Sequence, residues 1–194
     1  EKVIIKPGTY LENINYNKNI SIIGQNQSGE VIIDGQGTSV GNAITVSSVD
    51  KVDISNINIR NSDKGISISG VDSIYFKNVN LNNTNYGIKI ENSGFASLES
   101  VHINQNEFGI EVSSSDSLII RNSTIRKSTN RGLKASETHV MINDSELSTN
   151  LTGIQFNSID SDSLYLNRVE LDSSSEHGIV AVSYTHLRAH ETRH

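Results

Sequence analysis

The chain contains no cysteine and no tryptophan, one proline and only 5% aromatic residues. Without cysteine, disulfides and thiolate metal sites are excluded. No apolar run approaches the ~20 residues a helix needs to cross a bilayer. Positive charge is scarce as well: 16 Lys+Arg stand against 22 Asp+Glu, a net charge of −6. A general nucleic-acid binder needs a basic stripe to displace counterions, so the balance argues against that class. It also argues against a strongly anionic glycan unless positive charge is gathered locally. No secretion signal opens the chain. Glu1 begins on a strand-like run, which we read as a start inside a longer protein, so the missing signal says nothing about secretion.

What is present is order. The 194 residues suffice for one domain with a sizeable core, and the 14 glycines fit many tight turns. A Gly-apolar-x-apolar segment recurs at Gly65, Gly87, Gly109, Gly132, Gly153 and Gly178, with spacings of 22, 22, 23, 21 and 25. A second column keeps step with it: Asn56, Asn78, Ser100, Asn122, Asp144 and Arg168. Apolar residues flank that column, Ile54, Phe76, Leu98, Ile120, Ile142 and Leu166 before it, and Ile59, Leu81, Ile103, Ile125, Leu147 and Leu171 after it.

Each apolar stretch alternates with period two, the pattern of a short half-buried strand. Three such strands per period cannot bury a core alone. Stacking successive turns in parallel, about 4.8 Å apart, places the Ile, Val and Leu columns inside. The expected fold is all-β, a right-handed parallel β-helix: a single-stranded solenoid with three short strands per coil of about 22 residues. The Asn-rich column marks a sharp bend between the second and third strands, because Asn tolerates left-handed backbone geometry. A leucine-rich repeat lacks support, since no helix-forming half is present.

The first forty residues are less regular. Pro7-Gly8-Thr9-Tyr10-Leu11-Glu12 leads to Asn19-Ile20-Ser21-Ile22-Ile23-Gly24, then to Val31-Ile32-Ile33-Asp34-Gly35. This order resembles the opening coils of pectin-lyase-like proteins. The later rhythm resembles the repeats called CASH and the NosD-type β-helix, over roughly residues 3 to 181. The resemblance implies the fold and leaves the activity open, because that superfamily holds lyases, hydrolases, esterases and non-enzymes. Its catalytic signatures are missing. The Arg-x-Pro-x-x-Arg of pectate lyases is impossible with Pro7 as the only proline. Of the polygalacturonase signatures, only Asn61-Ser62-Asp63 and Glu176-His177-Gly178 are approximated. We expect no catalytic residues here.

The repeat stops near Ala181. Val182-Ser183-Tyr184-Thr185-His186-Leu187-Arg188-Ala189-His190-Glu191-Thr192 has no strand pattern and resembles the translation of a sequencing adapter. We therefore divide the chain into a β-helix fragment, 1–181, and a non-native tail, 182–194. His186, His190 and His194 would otherwise suggest metal ligands on a helical face; that reading falls with the tail. No metal or other cofactor is expected.

In the resembled enzymes, substrate lies along the outside of one strand column. Here the outward position of the Gly-apolar strand reads Thr45, Ser67, Lys89, Glu111, Lys134, Gln155 and Val180. Alternating charge on Lys89, Glu111 and Lys134 suits recognition of uronic-acid sugars, or a salt-bridged ladder that merely keeps like charges apart. Just before each glycine come Lys64, Tyr86, Phe108, Arg131, Thr152 and His177. Tyr86, Phe108 and Arg131 should stack, as a sugar platform or as support between coils. Tyr75, Ile119, Met141 and Tyr165 form a partly apolar stripe on the second strand, which we expect to lie under a missing loop or neighbouring domain. Asp50, Asp72, Asp116 and Asp162 share a column interrupted by Gly94 and Thr138, too open for one calcium ion and better read as turn caps.

The resulting expectation is an extracellular, cell-surface or periplasmic module of a carbohydrate-active or carbohydrate-binding protein, not catalytic as this fragment. A polysaccharide is the expected partner. Were the intact protein an enzyme, it would be a polysaccharide lyase or glycoside hydrolase. The alternatives are a stalk or adhesin segment and a NosD-like periplasmic maturation factor. Oligomeric state is not legible.

Overall fold

A computed structural model describes residues 1–25, 29–36, 41–157, 163–172, 174–182 and 186–190, the last as backbone pairing alone. The described residues are all strand, corner or short connection, with no helix. About eight coils stack with every strand pairing parallel, which gives the expected right-handed β-helix. Three sheets run along the solenoid. The first contains Phe108–Ser113, Arg131–Ser136, Thr152–Asn157 and His177–Val182; the second and third are joined through strands such as Phe95–Asn104 and His139–Ser148. Pairing continues past Ala181, with Val182 beside Asn157 and His186–His190 beside Ser163–Asn167.

The corners explain why one strand, Ile44–Glu91, runs unbroken through about two coils. Each corner turns at one residue with positive φ, and the connections between strands from Glu91 to Asn157 are no longer than four residues. The second-to-third-sheet corner is the column seen in the sequence: Asn56, Asn78, Ser100, Asn122, Asp144 and Arg168, all between 49° and 58°. Two more corner columns exist, Ser48, Gly70, Asn92, Ser114 and Glu137, and Asn61, Asn83, Gln105, Lys127 and Thr149. Left-handed geometry costs a non-glycine residue about 1–2 kcal/mol, least for Asn and Asp, whose side chains can bond locally. Asn78 Nδ2 also donates to Asn56 Oδ1 of the coil before, at 3.0 Å. Replacing Asn122 by isoleucine should therefore lower stability by about 1–2 kcal/mol. Asn122→Gly should be nearly neutral, the pair being compared by urea denaturation.

Behind the corners, small polar residues turn inward and form ladders. Ser123 Oγ accepts the Val101 N–H at 3.0 Å and donates to Arg121 O at 2.7 Å. Ser145 repeats the motif on Ser123, and Ser93, Ser115 and Thr138 repeat it at another corner. Each hydroxyl satisfies a buried backbone donor that the tight bend removes from the sheet. The core between the ladders is almost wholly aliphatic, with Phe76 and Phe156 its largest buried side chains.

The repeating glycines sit in the first sheet with ordinary φ, so space selects them. A Cβ on Gly109 would lie 2.4 Å from Gly132 O and 2.5 Å from Ile125 Cγ2. Gly65, Gly87, Gly132 and Gly153 meet the next glycine's carbonyl in the same way.

Candidate functional site

The first sheet brings the six candidate residues together. Tyr86, Phe108 and Arg131 occupy successive rungs of one column, and Lys89, Glu111 and Lys134 those of the next outward column. Strand alternation turns Lys89, Glu111 and Lys134 outward; Tyr86, Phe108 and Arg131, three residues earlier, reach the same side because the paired register is interrupted at the glycine between the columns.

The two rings stack on each other, centroids 4.7 Å apart and 10° from parallel. Cations close the stack at both ends: Lys64 Nζ lies 5.9 Å from the Tyr86 centroid and the Arg131 guanidinium 5.8 Å from that of Phe108. Lys89 also stands 5.8 Å from the Tyr86 ring. The ring faces are thus occupied within the protein, and a sugar laid along the sheet meets ring edges. This corrects the simple picture of an open stacking platform.

Beside the rings, Glu111 lies between two ammonium groups, 3.9 Å from Lys89 and 3.2 Å from Lys134. Lys89 bonds more closely to Glu91, at 3.0 Å. Burial alone would lower the Lys89 pKa, but the bond to Glu91 and the charges of Glu91 and Glu111 outweigh it and hold the ammonium above the ordinary lysine value. Lys89 is therefore charged throughout the physiological range. A carboxylate fixed between two cations suits hydrogen bonding and ion pairing.

Asp63, Lys64 and Asn85 extend the site at the adjoining corner. Asp63 accepts from Lys64 at 3.0 Å and from Asn85 at 2.9 Å. Burial would raise the Asp63 pKa, but these bonds and the charges of Lys64 and Lys89 hold it below the usual carboxylate range. Glu91 and Asn85 were missed in the sequence reading. Glu91 was detectable, since strand alternation puts it on the same side as Lys89 two residues on.

Asp34 is likewise depressed. Burial opposes ionisation there, but the Gln36 N–H, Arg60 and Asn61 more than offset it. With folded pKa values below the unfolded ~4, both aspartates contribute stability that is complete above that value and lost as pH falls through the folded values. Urea midpoints measured from about pH 5 down to about pH 2 should fall progressively, and Asp34→Asn should flatten part of that slope.

The remaining sequence candidates do not assemble. Asp63 and His177 are five coils apart, about 24 Å at 4.8 Å per coil, so the two approximate hydrolase signatures cannot meet. Asp72 and Asp116 lie exposed without a side-chain hydrogen bond, so turn capping is not observed for either, while Asp50 accepts from Asn19 at 2.9 Å. Asp162 lies outside the described residues.

A parallel β-solenoid with sealed corners and a charged aromatic ladder on one sheet defines a β-helix protein with no catalytic constellation among the described residues. Residues 22–187 match the family described as periplasmic copper-binding protein (NosD), and the chain belongs to that family. No curated protein matches it. Among solved structures, it resembles the A-module of Azotobacter vinelandii mannuronan C-5 epimerase AlgE6, with a TM-score of 0.47 and 10% identity over 93% of this chain and 71% of that one. It also resembles pectate lyase Pel9A, with a TM-score of 0.45 and 14% identity over 98% of this chain and 70% of that one.

The family's description names copper, but the described side chains do not fit a copper site. They include a single methionine, and His102, His139 and His177 stand on three different sheets. No group of three or more His, Asp or Glu among the described residues is placed to hold a metal ion. Among the described residues, no helix is long and apolar enough to cross a membrane.

Proposed function

We propose that this chain is a non-catalytic, periplasmic or cell-surface module that holds a polysaccharide along its first sheet. The observation that carries this reading is the alternating row Lys89, Glu111, Lys134 on successive coils, bordered by Tyr86, Phe108 and Arg131. One rung per coil, about 4.8 Å, is of the order of a single sugar ring. An extended glycan lying parallel to the axis would thus offer hydroxyls or carboxylates to each rung in turn. Lys89 and Lys134 would donate, Glu111 would accept, and the ring edges would form one wall. In this reading the tail from Val182 is foreign to the natural sequence.

Binding of neutral and uronate oligosaccharides, followed by calorimetry, tests the idea. Lys89→Ala combined with Lys134→Ala should weaken binding at least tenfold, about 1.4 kcal/mol. Tyr86→Ala and Phe108→Ala should each reduce it as well. Binding unchanged in all these variants would sink the proposal. A stalk is the second reading, favoured by short corners that raise no walls above the sheets. It predicts no glycan binding by the intact ladder. Membership of a family described as periplasmic supports the location and keeps a maturation role in the periplasm as a third reading.

A further inference from the structure

Among the described residues, the large exposed apolar side chains of the regular coils gather on the second sheet. Tyr75 (40% exposed), Met141 (37%) and Tyr165 (36%) all belong to its central outward column, which reads Tyr75, Ser97, Ile119, Met141, Tyr165. The outward positions of the third sheet, by contrast, are polar: Asn80, His102, Thr124 and Glu146. The apolar column is flanked on one side by Lys77, Glu99, Arg121 and Asn143, and on the other by Ser73, Phe95, Ser117 and His139. No loop among the described residues crosses this sheet.

We propose that the second sheet is the contact face of an antiparallel dimer, its occupant a second copy of this chain. Consider a two-fold axis parallel to the strands, halfway between the coil of Ser97 and the coil of Ile119. It inverts the order of coils while keeping each column opposite itself, as an isologous interface requires. Ser97 then faces Ile119 of the second copy, and Phe95 faces Ser117, so large residues meet small ones. Tyr75 faces Met141, a favourable thioether–ring contact. Glu99 faces Arg121, and Lys77 faces Asn143, so no like charges oppose each other. The alternative axis, parallel to the solenoid, keeps each coil opposite itself. It sets Glu99 against Phe95 and Arg121 against Ser117, leaving both charges without a partner across the interface.

The available area fits a weak dimer. Across the same axis Tyr165 faces the coil of Asp53, which is paired with Lys51 of its own chain. The symmetric patch spans six coils, and six coils at about 4.8 Å with strands of five residues at about 3.3 Å give roughly 480 Å² per copy. A total near 1,000 Å² lies at the small end of specific interfaces, the range of weak, concentration-dependent association. The first sheet, with its ladder, stays open on both copies.

The test is sedimentation velocity on the full chain over rising concentration, with far-ultraviolet circular dichroism on each variant to confirm folding. The mass should double as concentration passes the dissociation constant. Met141→Glu and Arg121→Glu should each weaken association at least tenfold, and adding Glu99→Arg to Arg121→Glu should restore it. Because the chain has no cysteine of its own, a short bis-maleimide can report the pairing. Tyr75→Cys with Met141→Cys should cross-link between copies, whereas Met141→Cys alone should not. A monomer at every concentration overturns the proposal, as does a dimer indifferent to both Met141→Glu and Arg121→Glu. Cross-linking by Met141→Cys alone would assign the parallel axis and equally overturn it.

Discussion

Gly109→Ala is expected to destabilise the protein by about 3 kcal/mol or more, a large effect for one methyl group. Overpacking a fitted interior typically costs about 1–3 kcal/mol, because neighbours move into poorer rotamers. Here the nearest neighbour is the Gly132 carbonyl, at 2.4 Å from the added carbon, and backbone paired on both sides cannot rotate away. Relief requires two coils to separate, which strains the ladder shared by Phe108–Ser113 and Arg131–Ser136. Gly178 supplies the internal control, since a Cβ there meets nothing within 4 Å. Gly178→Ala should leave the urea midpoint nearly unchanged. Equal losses in the two variants would show that space does not select these glycines, because alanine at an ordinary φ would by itself stabilise through the unfolded state.

The second large effect concerns Asn150, which is 1% exposed. Its Oδ1 accepts the Ser128 N–H at 2.9 Å, and its Nδ2 donates to Ile125 O at 2.9 Å. One side chain thereby satisfies a buried donor and a buried acceptor in the preceding coil. Asn150→Leu keeps the branching and heavy-atom count of the side chain, in a larger volume, and strips both bonds. An unsatisfied buried polar group costs about 1–3 kcal/mol, so the pair should cost about 3 kcal/mol in total. Asn106→Leu serves as a comparison: Asn106 accepts from the Thr84 N–H and hydroxyl, both at 2.8 Å, but its Nδ2 has no partner. Asn106→Leu should therefore cost less. Chemical denaturation of both variants measures the difference, and an Asn150→Leu protein as stable as the parent would refute the ladder's energetic role. Asn150 also opens an Asn-x-Thr sequon, and the same burial keeps it from glycan attachment while the coil is folded.

The two effects share a cause. In a solenoid each coil contacts only its neighbours, so stability is a sum of similar interfaces and a defect at one interface is felt locally. A charged ladder such as Lys89–Glu111–Lys134 adds little to that sum, because its members remain partly exposed and screened. The second sheet follows the same logic. Tyr75 already packs on Phe95 and lies under Lys51, and the remaining exposed area of Tyr75 and Met141 becomes favourable when something covers it.

The sequence by itself determined the coil. Gly87 and Gly109, Asn56 and Asn78, Phe76 and Leu98 recur at the same interval because parallel stacking places equivalent residues in one environment, and a shared environment selects similar residue types. The sequence also determined the rung order Tyr86–Phe108–Arg131 and Lys89–Glu111–Lys134, since a constant period converts spacing into stacking. It did not disclose two of the three corner columns. Gln105, Lys127, Thr149 and Glu137 adopt the same left-handed bend as Asn83 and Asn92 but share no chemistry with them, because a corner pinned by pairing on both sides tolerates most side chains at modest cost. Only the tertiary structure decided what the site offers. Whether Tyr86 and Phe108 present faces or edges depends on ring tilt and on Lys64 and Arg131 closing the stack. Such angles and distances are set by packing between coils, and residue spacing carries no record of them.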